Sequence, residues 1–270
     1  MHSIHTAAYG QKVHAMTVRT LLQALRSPQV TLAGMPLHVP GPLPIRLAVV
    51  LGNLRMQRMF DQMLHPGAVV VDVGANIGYN TLYAAQCVGP AGRVYAVEPA
   101  QDNLTILYAN LFAARLHNVW VLPYAAGSRR AVQEFFLRGE VSAVNSLFQE
   151  NFYAPITDTV QVLTVPLDDL AIETPDLVKI DVEGGELEVL QGMPRMLAAP
   201  RMRLVVEWHP TLQQAAGHAA DALPRFLLAQ GFTLQIVTHT RHAPLPPADL
   251  PRWTQHLLRK RSPAELVAVR

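Results

Sequence analysis

The feature that most constrains the fold is the stretch Val69-Val70-Val71-Asp72-Val73, which runs straight into Gly74-Ala75-Asn76-Ile77-Gly78. A β-branched run of this length predicts a strand buried on both faces, because a one-sided strand would alternate apolar and polar residues. A helix is expected from about Gly78 to Cys87, a turn at Gly89-Pro90-Ala91-Gly92, and a second strand at Arg93–Val97. The rhythm continues with a helix over Asn103–Leu116 and a strand over Val119–Leu122. It then breaks: Val132–Leu137 and Val160–Val165 read as extended, antiparallel pieces around an irregular stretch, Arg138 to Asp158.

The alternation resumes with a strand at Leu177–Asp181 and a helical Glu186–Leu197 interrupted at Pro194. A strand at Leu204–Glu207 follows, then a helix over Ala219–Gln230 that Gly231 stops. Phe232–Val237 and Leu266–Val269 close the series as strands. Strands alternating with helices predict a Rossmann-like α/β fold, a mostly parallel, seven-stranded sheet with helices on both faces. In such sheets the ligand sits beyond the C-terminal strand ends, at the switch point. Residues 1–59 read as an N-terminal appendage ahead of a domain spanning 60–270. The appendage holds a helix around Thr17–Leu25, a proline-rich passage from Pro36 to Pro44 with room for two short strands, and the start of a helix running from Ile45 to Leu64.

Composition narrows the partners. The net charge is +2 without a long basic run, so a nucleic-acid partner, which needs a concentrated basic face, is not expected. Arg259-Lys260-Arg261 is the densest basic cluster and reads as a solvated surface turn. One cysteine, Cys87, allows no intramolecular disulfide. No apolar run reaches the ~18 residues of a membrane span, and Met1–Gln11 lacks the apolar centre of a signal peptide, so a cytoplasmic protein without a membrane partner is expected.

The loop between the first strand and its helix carries the first chemistry. Gly74 lets the backbone turn sharply, and Gly78 lets the helix begin close to a ligand. Glu98 ends the second strand ahead of Pro99, where a carboxylate can accept both ribose hydroxyls of an adenosine. The glycine spacing is Gly-x-x-x-Gly, without the middle glycine that a close approach to pyrophosphate requires. Asp72 would repel a diphosphate but can engage an ammonium group, directly or through water. These features favour S-adenosylmethionine (SAM) over a dinucleotide.

The segment Asp176-Leu-Val-Lys179-Ile-Asp181-Val-Glu183-Gly-Gly-Glu186-Leu-Glu-Val-Leu-Gln-Gly192 resembles the signature of FkbM-type methyltransferases. Three further motifs of that family have counterparts here, at Val71–Gly78, Val97–Pro99 and Val205–His209, and the resemblance covers roughly residues 60–210. It implies a class I methyltransferase fold and a SAM-dependent O-methyltransferase acting on a hydroxyl of a small-molecule acceptor, such as a sugar or a polyketide. An NAD-dependent oxidoreductase and a non-catalytic SAM-binding protein are the alternatives.

Methyl transfer to an alcohol needs alignment and a proton acceptor. Asp181, at a central strand end, can orient or deprotonate the hydroxyl; as a helix N-cap it would be structural instead. Glu207 and His209 end another strand, and His209 has a pKa suited to a base near neutrality, which makes it the leading base candidate. Asp72, Gly74, Asn76, Gly78, Tyr79, Asn80, Glu98, Pro99, Asn103, Ala125 and Ala126 are the candidate cofactor contacts. Asn103 also fits a helix cap, and the two alanines leave room for the adenine ring. Asn145 and Ser146 in the irregular stretch, with Glu183, are the candidate substrate contacts. The four acidic and histidine residues near the two strand ends would suit magnesium or manganese, but the resemblance requires no metal and none is assigned. Residues 1–59 are the region expected to mediate any homo-oligomer.

Overall fold

The structure is a computed structural model describing residues 26–139, 143–150, 154–237 and 242–270. The helix expected around Thr17–Leu25 lies outside them.

The polypeptide opens with a hairpin, β1 (Gln29–Leu32) and β2 (Met35–His38), and a long helix, α1 (Leu43–Met63). The first βαβ unit follows as β3 (Val69–Val73), α2 (Tyr79–Val88) and β4 (Arg93–Val97), then α3 (Gln101–Ala114) and β5 (Val119–Leu122). Val70, Val71 and Val73 are each at most 1% exposed, the two-sided burial that the β-branched run demands. The rhythm breaks where the sequence indicates. Strands β6 (Ala125–Ala126), β7 (Ala131–Leu137) and β8 (Asp158–Val165) form a separate small sheet in which β7 and β8 pair antiparallel. The second half comprises β9 (Leu177–Ile180), α4 (Glu186–Gln191), α5 (Pro194–Leu197), β10 (Arg203–Trp208), α6 (Pro210–Ala215), α7 (Ala222–Ala229), β11 (Thr233–Val237), β12 (His242–Pro244), α8 (Leu250–Lys260) and β13 (Ala264–Val269).

The main sheet has the order β12-β11-β13-β10-β9-β3-β4-β5. Strands β10, β9, β3, β4 and β5 run parallel, whereas β13 is inserted antiparallel between β10 and β11. The seven expected strands are present, with β12 added as a three-residue edge. The order reverses between β3 and β9: one half of the chain builds outward from β3 through β4 to β5, the other from β9 to β10. That is the switch point where an α/β sheet opens a crevice.

Arg259-Lys260-Arg261 is solvated as expected, but it ends helix α8 rather than forming a free turn. Arg259 and Lys260 occupy the last helical turn and Arg261 caps it in the left-handed region at φ 47°. Basic side chains there complement the negative end of the helix dipole. The hairpin does not stand apart from the sheet domain. Val30, Leu32, Leu37 and Val39 bury into the same cluster as Phe60, Leu82 and Leu107. Asn110 of α3 fastens it, its Oδ1 accepting from the His38 amide at 2.7 Å and its Nδ2 donating to the His38 carbonyl at 3.1 Å. Among the described residues no helix is long and apolar enough to cross a membrane.

Candidate active site

A cleft with about 560 Å³ of open space lies at the C-terminal ends of β3, β4 and β9. Its floor is built by the two strand-to-helix loops at the switch point. Gly74 has φ 79°, and a Cβ there would sit 1.8 Å from the carbonyl oxygen of Asp181. Only glycine lets the β3 loop cross so close to the β9 loop. At its far end Gly78 starts α2 with φ 92°, and a Cβ would strike Leu107 Cδ1 at 2.5 Å. Gly78 therefore serves helix packing, and it does not line the cleft.

Glu98 is 4% exposed and lines the cleft from the end of β4. Its Oε2 accepts from the Asn76 amide at 2.9 Å, while Oε1 accepts from the Ala100 amide at 2.9 Å and from Asn103 Nδ2 at 3.2 Å. Burial pushes its pKa up, against the opposing pull of these hydrogen bonds and of Lys179. The carboxylate is thus fixed in place, with Asn103 as its brace. Ala125 and Ala126 line the same cleft with Pro99, and Tyr124 and Phe135 add aromatic surface beside them.

The irregular stretch closes the other wall through Ala143, Asn145 and Leu147. Arg138 pins it, its Nη2 donating to the carbonyls of Phe148 at 3.0 Å and Gln149 at 2.8 Å. Ser146, fully buried, does not line the cleft; its hydroxyl donates to the Glu183 carbonyl at 2.8 Å and ties this wall to the β9 turn. That turn is strained, with Glu183 at φ 57° and Gly184 at φ 111°. Glu186, 0% exposed, holds it by accepting from the Val182 and Gly184 amides, each at 3.0 Å. Burial raises the Glu186 pKa to about 7.

Behind the floor lies Lys179, 2% exposed. Its Nζ donates to the Gly74 carbonyl at 3.1 Å and lies 3.4 Å from carboxylate oxygens of both Asp72 and Asp181. Burial alone would depress an ammonium pKa, but Asp181, Asp72 and Glu265 outweigh it and hold the value above that of an ordinary lysine. Asp72 is fully buried, with Thr81 Oγ1 donating to it at 2.6 Å, and so supports the loop from below. Asp181 reaches the surface of the cleft with its side chain 36% exposed.

Asp181 also borders a second chamber of about 660 Å³, with Arg55, Met56 and Met59 of α1, Asn80 of α2, Glu207 of β10 and Glu265 of β13. The expected site residues therefore divide into three groups. Gly74, Asn76, Glu98, Pro99, Asn103, Ala125, Ala126, Asn145, Glu183 and Asp181 meet in the cleft. Asn80 and Glu207 meet Asp181 in the chamber. Tyr79, Gly78, Asp72, Ser146 and His209 line neither. Tyr79 is buried and accepts from Gln57 Nε2 at 2.8 Å. His209 is 0% exposed and caps α6, its Nδ1 accepting from the Leu212 amide at 3.4 Å. Burial lowers its pKa, which favours the neutral ring that an accepting Nδ1 requires. Arg55, Lys179, Glu186 and Glu265 belong to the site or its support but lie outside the set chosen from the sequence. Glu265 is the antiparallel register partner of Glu207, a pairing that no local pattern reveals.

Among the described residues, carboxylate oxygens of Asp181, Glu183 and Glu207 lie within 4.8 Å of one another, a grouping able to hold a cation.

Comparison with known proteins matches this architecture to a family. The methyltransferase FkbM domain profile aligns with residues 72–234. The AMB antimetabolite synthetase AmbE of Pseudomonas aeruginosa is 30% identical over a 211-residue alignment that covers 64% of this chain and 10% of AmbE. The hexuronic acid methyltransferase AglP of Haloferax volcanii is 31% identical over 168 residues, 61% of this chain and 65% of AglP. The chain thus spans a small part of the first relative and just under two thirds of the second. The crystal structure of methyltransferase FkbM from Methylobacillus flagellatus aligns at a TM-score of 0.48 and 16% identity, covering 96% of this chain and 60% of that one. With a profile spanning both the Gly74 loop and the Asp181 turn, this chain belongs to the FkbM family of methyltransferases.

Proposed function

We propose that the chain transfers the methyl group of SAM to a hydroxyl oxygen of a small-molecule acceptor, with Asp181 as the proton acceptor. The observation that carries this reading is that Glu98 and Asp181 line one cleft at the switch point of the sheet. The first is suited to adenosine and the second to the reacting atoms. The donor set fits a nucleoside: a buried carboxylate at a strand end with lone pairs to spare, small residues at Ala125 and Ala126, and aromatic surface from Tyr124 and Phe135.

When bound, SAM supplies an electrophilic methyl on a sulfonium. The chain's own residues align and deprotonate. Asp181 would hold the acceptor hydroxyl facing that methyl and take up its proton as the oxygen is alkylated. Lys179 orients that carboxylate from behind at 3.4 Å. Positioning of this kind is worth up to ~7–11 kcal/mol, and a placed base a further ~10²–10⁴-fold. Glu207 stands in the chamber beside Asp181, where it can contact the acceptor.

Calorimetric titration with SAM, S-adenosylhomocysteine (SAH) and NAD tests the cofactor assignment. Micromolar affinity for the first two and none for NAD is the expected result; heat with NAD alone would point to hydride chemistry instead. Methyl transfer should persist in excess chelator, and its loss would point to a metal held by Asp181, Glu183 and Glu207.

A further inference from the structure

The chamber behind Asp181 is lined mainly by hydrogen-bond acceptors. Asp181, Glu207 and Glu265 contribute carboxyl groups to it, Asn80 an amide, and Met56 and Met59 thioethers. The Asn80 Oδ1 atom is shut off from solvent and has no hydrogen-bond partner among the described residues. A buried orphan acceptor costs about 1–3 kcal/mol unless a donor arrives to satisfy it. Arg55 is the one cation in the lining among the described residues, and its field already acts on Glu265.

Glu207 and Glu265 face each other across the β10–β13 ladder. Like charges directly opposite one another weaken a sheet, so packing alone gives no reason for the pair. Burial, compounded by the neighbouring carboxylates, raises both pKa values, that of Glu265 to about 7. A second positive charge entering the chamber would relieve this repulsion; a second negative charge would increase it. A divalent metal is the weaker occupant, because the Lys179 ammonium 3.4 Å from Asp181 and the Arg55 guanidinium in the lining repel a double charge more than a single one.

We propose, building on the methyl-transfer reading above, that this chamber receives the methyl acceptor and that the acceptor is an aminated hydroxyl compound. Its ammonium donates to Glu207, Glu265 and the Asn80 carbonyl, which holds its hydroxyl at Asp181. Carboxylate-bearing acceptors are repelled. The chamber and the cleft then play separate parts and meet at Asp181, which among the described residues lines both.

The test uses the full chain, methyl-labelled SAM and a metabolite extract divided by ion exchange into cationic, neutral and anionic fractions. At least tenfold more label in the cationic fraction than in either other is expected. The Glu265→Gln variant should lose most of that label while its SAH affinity stays within twofold of wild type. Label mainly in the neutral or anionic fraction overturns the proposal, as does label in no fraction. Unchanged labelling by Glu265→Gln overturns it too. Loss of labelling on chelation, restored by magnesium or manganese, replaces the ammonium with a metal. A fall in SAM but not SAH affinity in the variant, with the fraction preference kept, would assign these carboxylates to the sulfonium instead. Failure of the wild type to bind SAH defeats the methyl-transfer reading itself, so the two failures are distinguishable.

Discussion

At the scale of single residues, the site rests on a few positions where no substitution is neutral. Gly74 is the sharpest case. Alanine there combines a left-handed backbone, costing about 1–2 kcal/mol, with a Cβ placed 1.8 Å from the Asp181 carbonyl oxygen. Gly74→Ala should lose about 3 kcal/mol or more in urea unfolding, and its SAH affinity should fall with it. Asp181→Asn tests chemistry rather than folding. It keeps the shape and removes the proton acceptor, so turnover should drop about 10²–10⁴-fold while SAH affinity changes only a few-fold. Equal losses in both would make Asp181 a binding residue. Glu98→Ala should give the opposite pattern, a large loss of SAH affinity measured by calorimetry, because its three hydrogen-bonded partners would also be left without their acceptor.

At the scale of elements, His209 illustrates how a sequence motif and its placement can diverge. A histidine two residues beyond a glutamate at a strand end reads as a base, yet the chain turns immediately into α6 and the ring becomes its cap. His209→Ala should cost about 1–2 kcal/mol of stability, with SAH binding retained, and His209→Asn should recover part of that loss. A tenfold fall in turnover at unchanged stability would return the histidine to the mechanism. The parallel strands were legible because burial on both faces forces long apolar runs, and the glycine loop because its backbone requirement is local. Helix α8 was not, since Pro246, Pro247 and Pro251 mark the region as a loop. In the structure Pro251 sits in the first turn of α8, where a missing amide costs nothing. Nor could the chamber be read from the sequence, as Arg55, Asn80, Glu207 and Glu265 meet only through strand order and the packing of α1. A carboxyl pair created by antiparallel register leaves no spacing signal.

At the scale of the whole molecule, the desolvated carboxyls make stability depend on pH. Glu186 and Glu265 are each raised from 4.5 to about 7 in the folded protein. The unfolded chain therefore releases their protons first as pH rises, so their contribution is fully present below about 4.5 and is lost between there and about 7. His209, shifted down, acts oppositely as pH falls through its unfolded value of about 6.5, but it is one group against several raised carboxyls, Glu98 and Glu207 among them. Urea unfolding across this window should show wild-type stability falling with pH. Glu265→Gln should show a shallower slope, by at most about 1.4 kcal/mol per pH unit. A slope unaffected by that substitution would mean Glu265 titrates normally. Saturating SAH should raise stability at every pH, by about 2.7 kcal/mol at a hundred times its dissociation constant.

The buried ammonium of Lys179 touches the Gly74 carbonyl on one strand loop and Asp181 on the next. One proton-bearing nitrogen therefore registers the two loops against each other like a dowel between two boards. Anyone grafting this glycine turn onto another sheet would have to carry the lysine along, or accept a carboxylate aimed at the wrong atom.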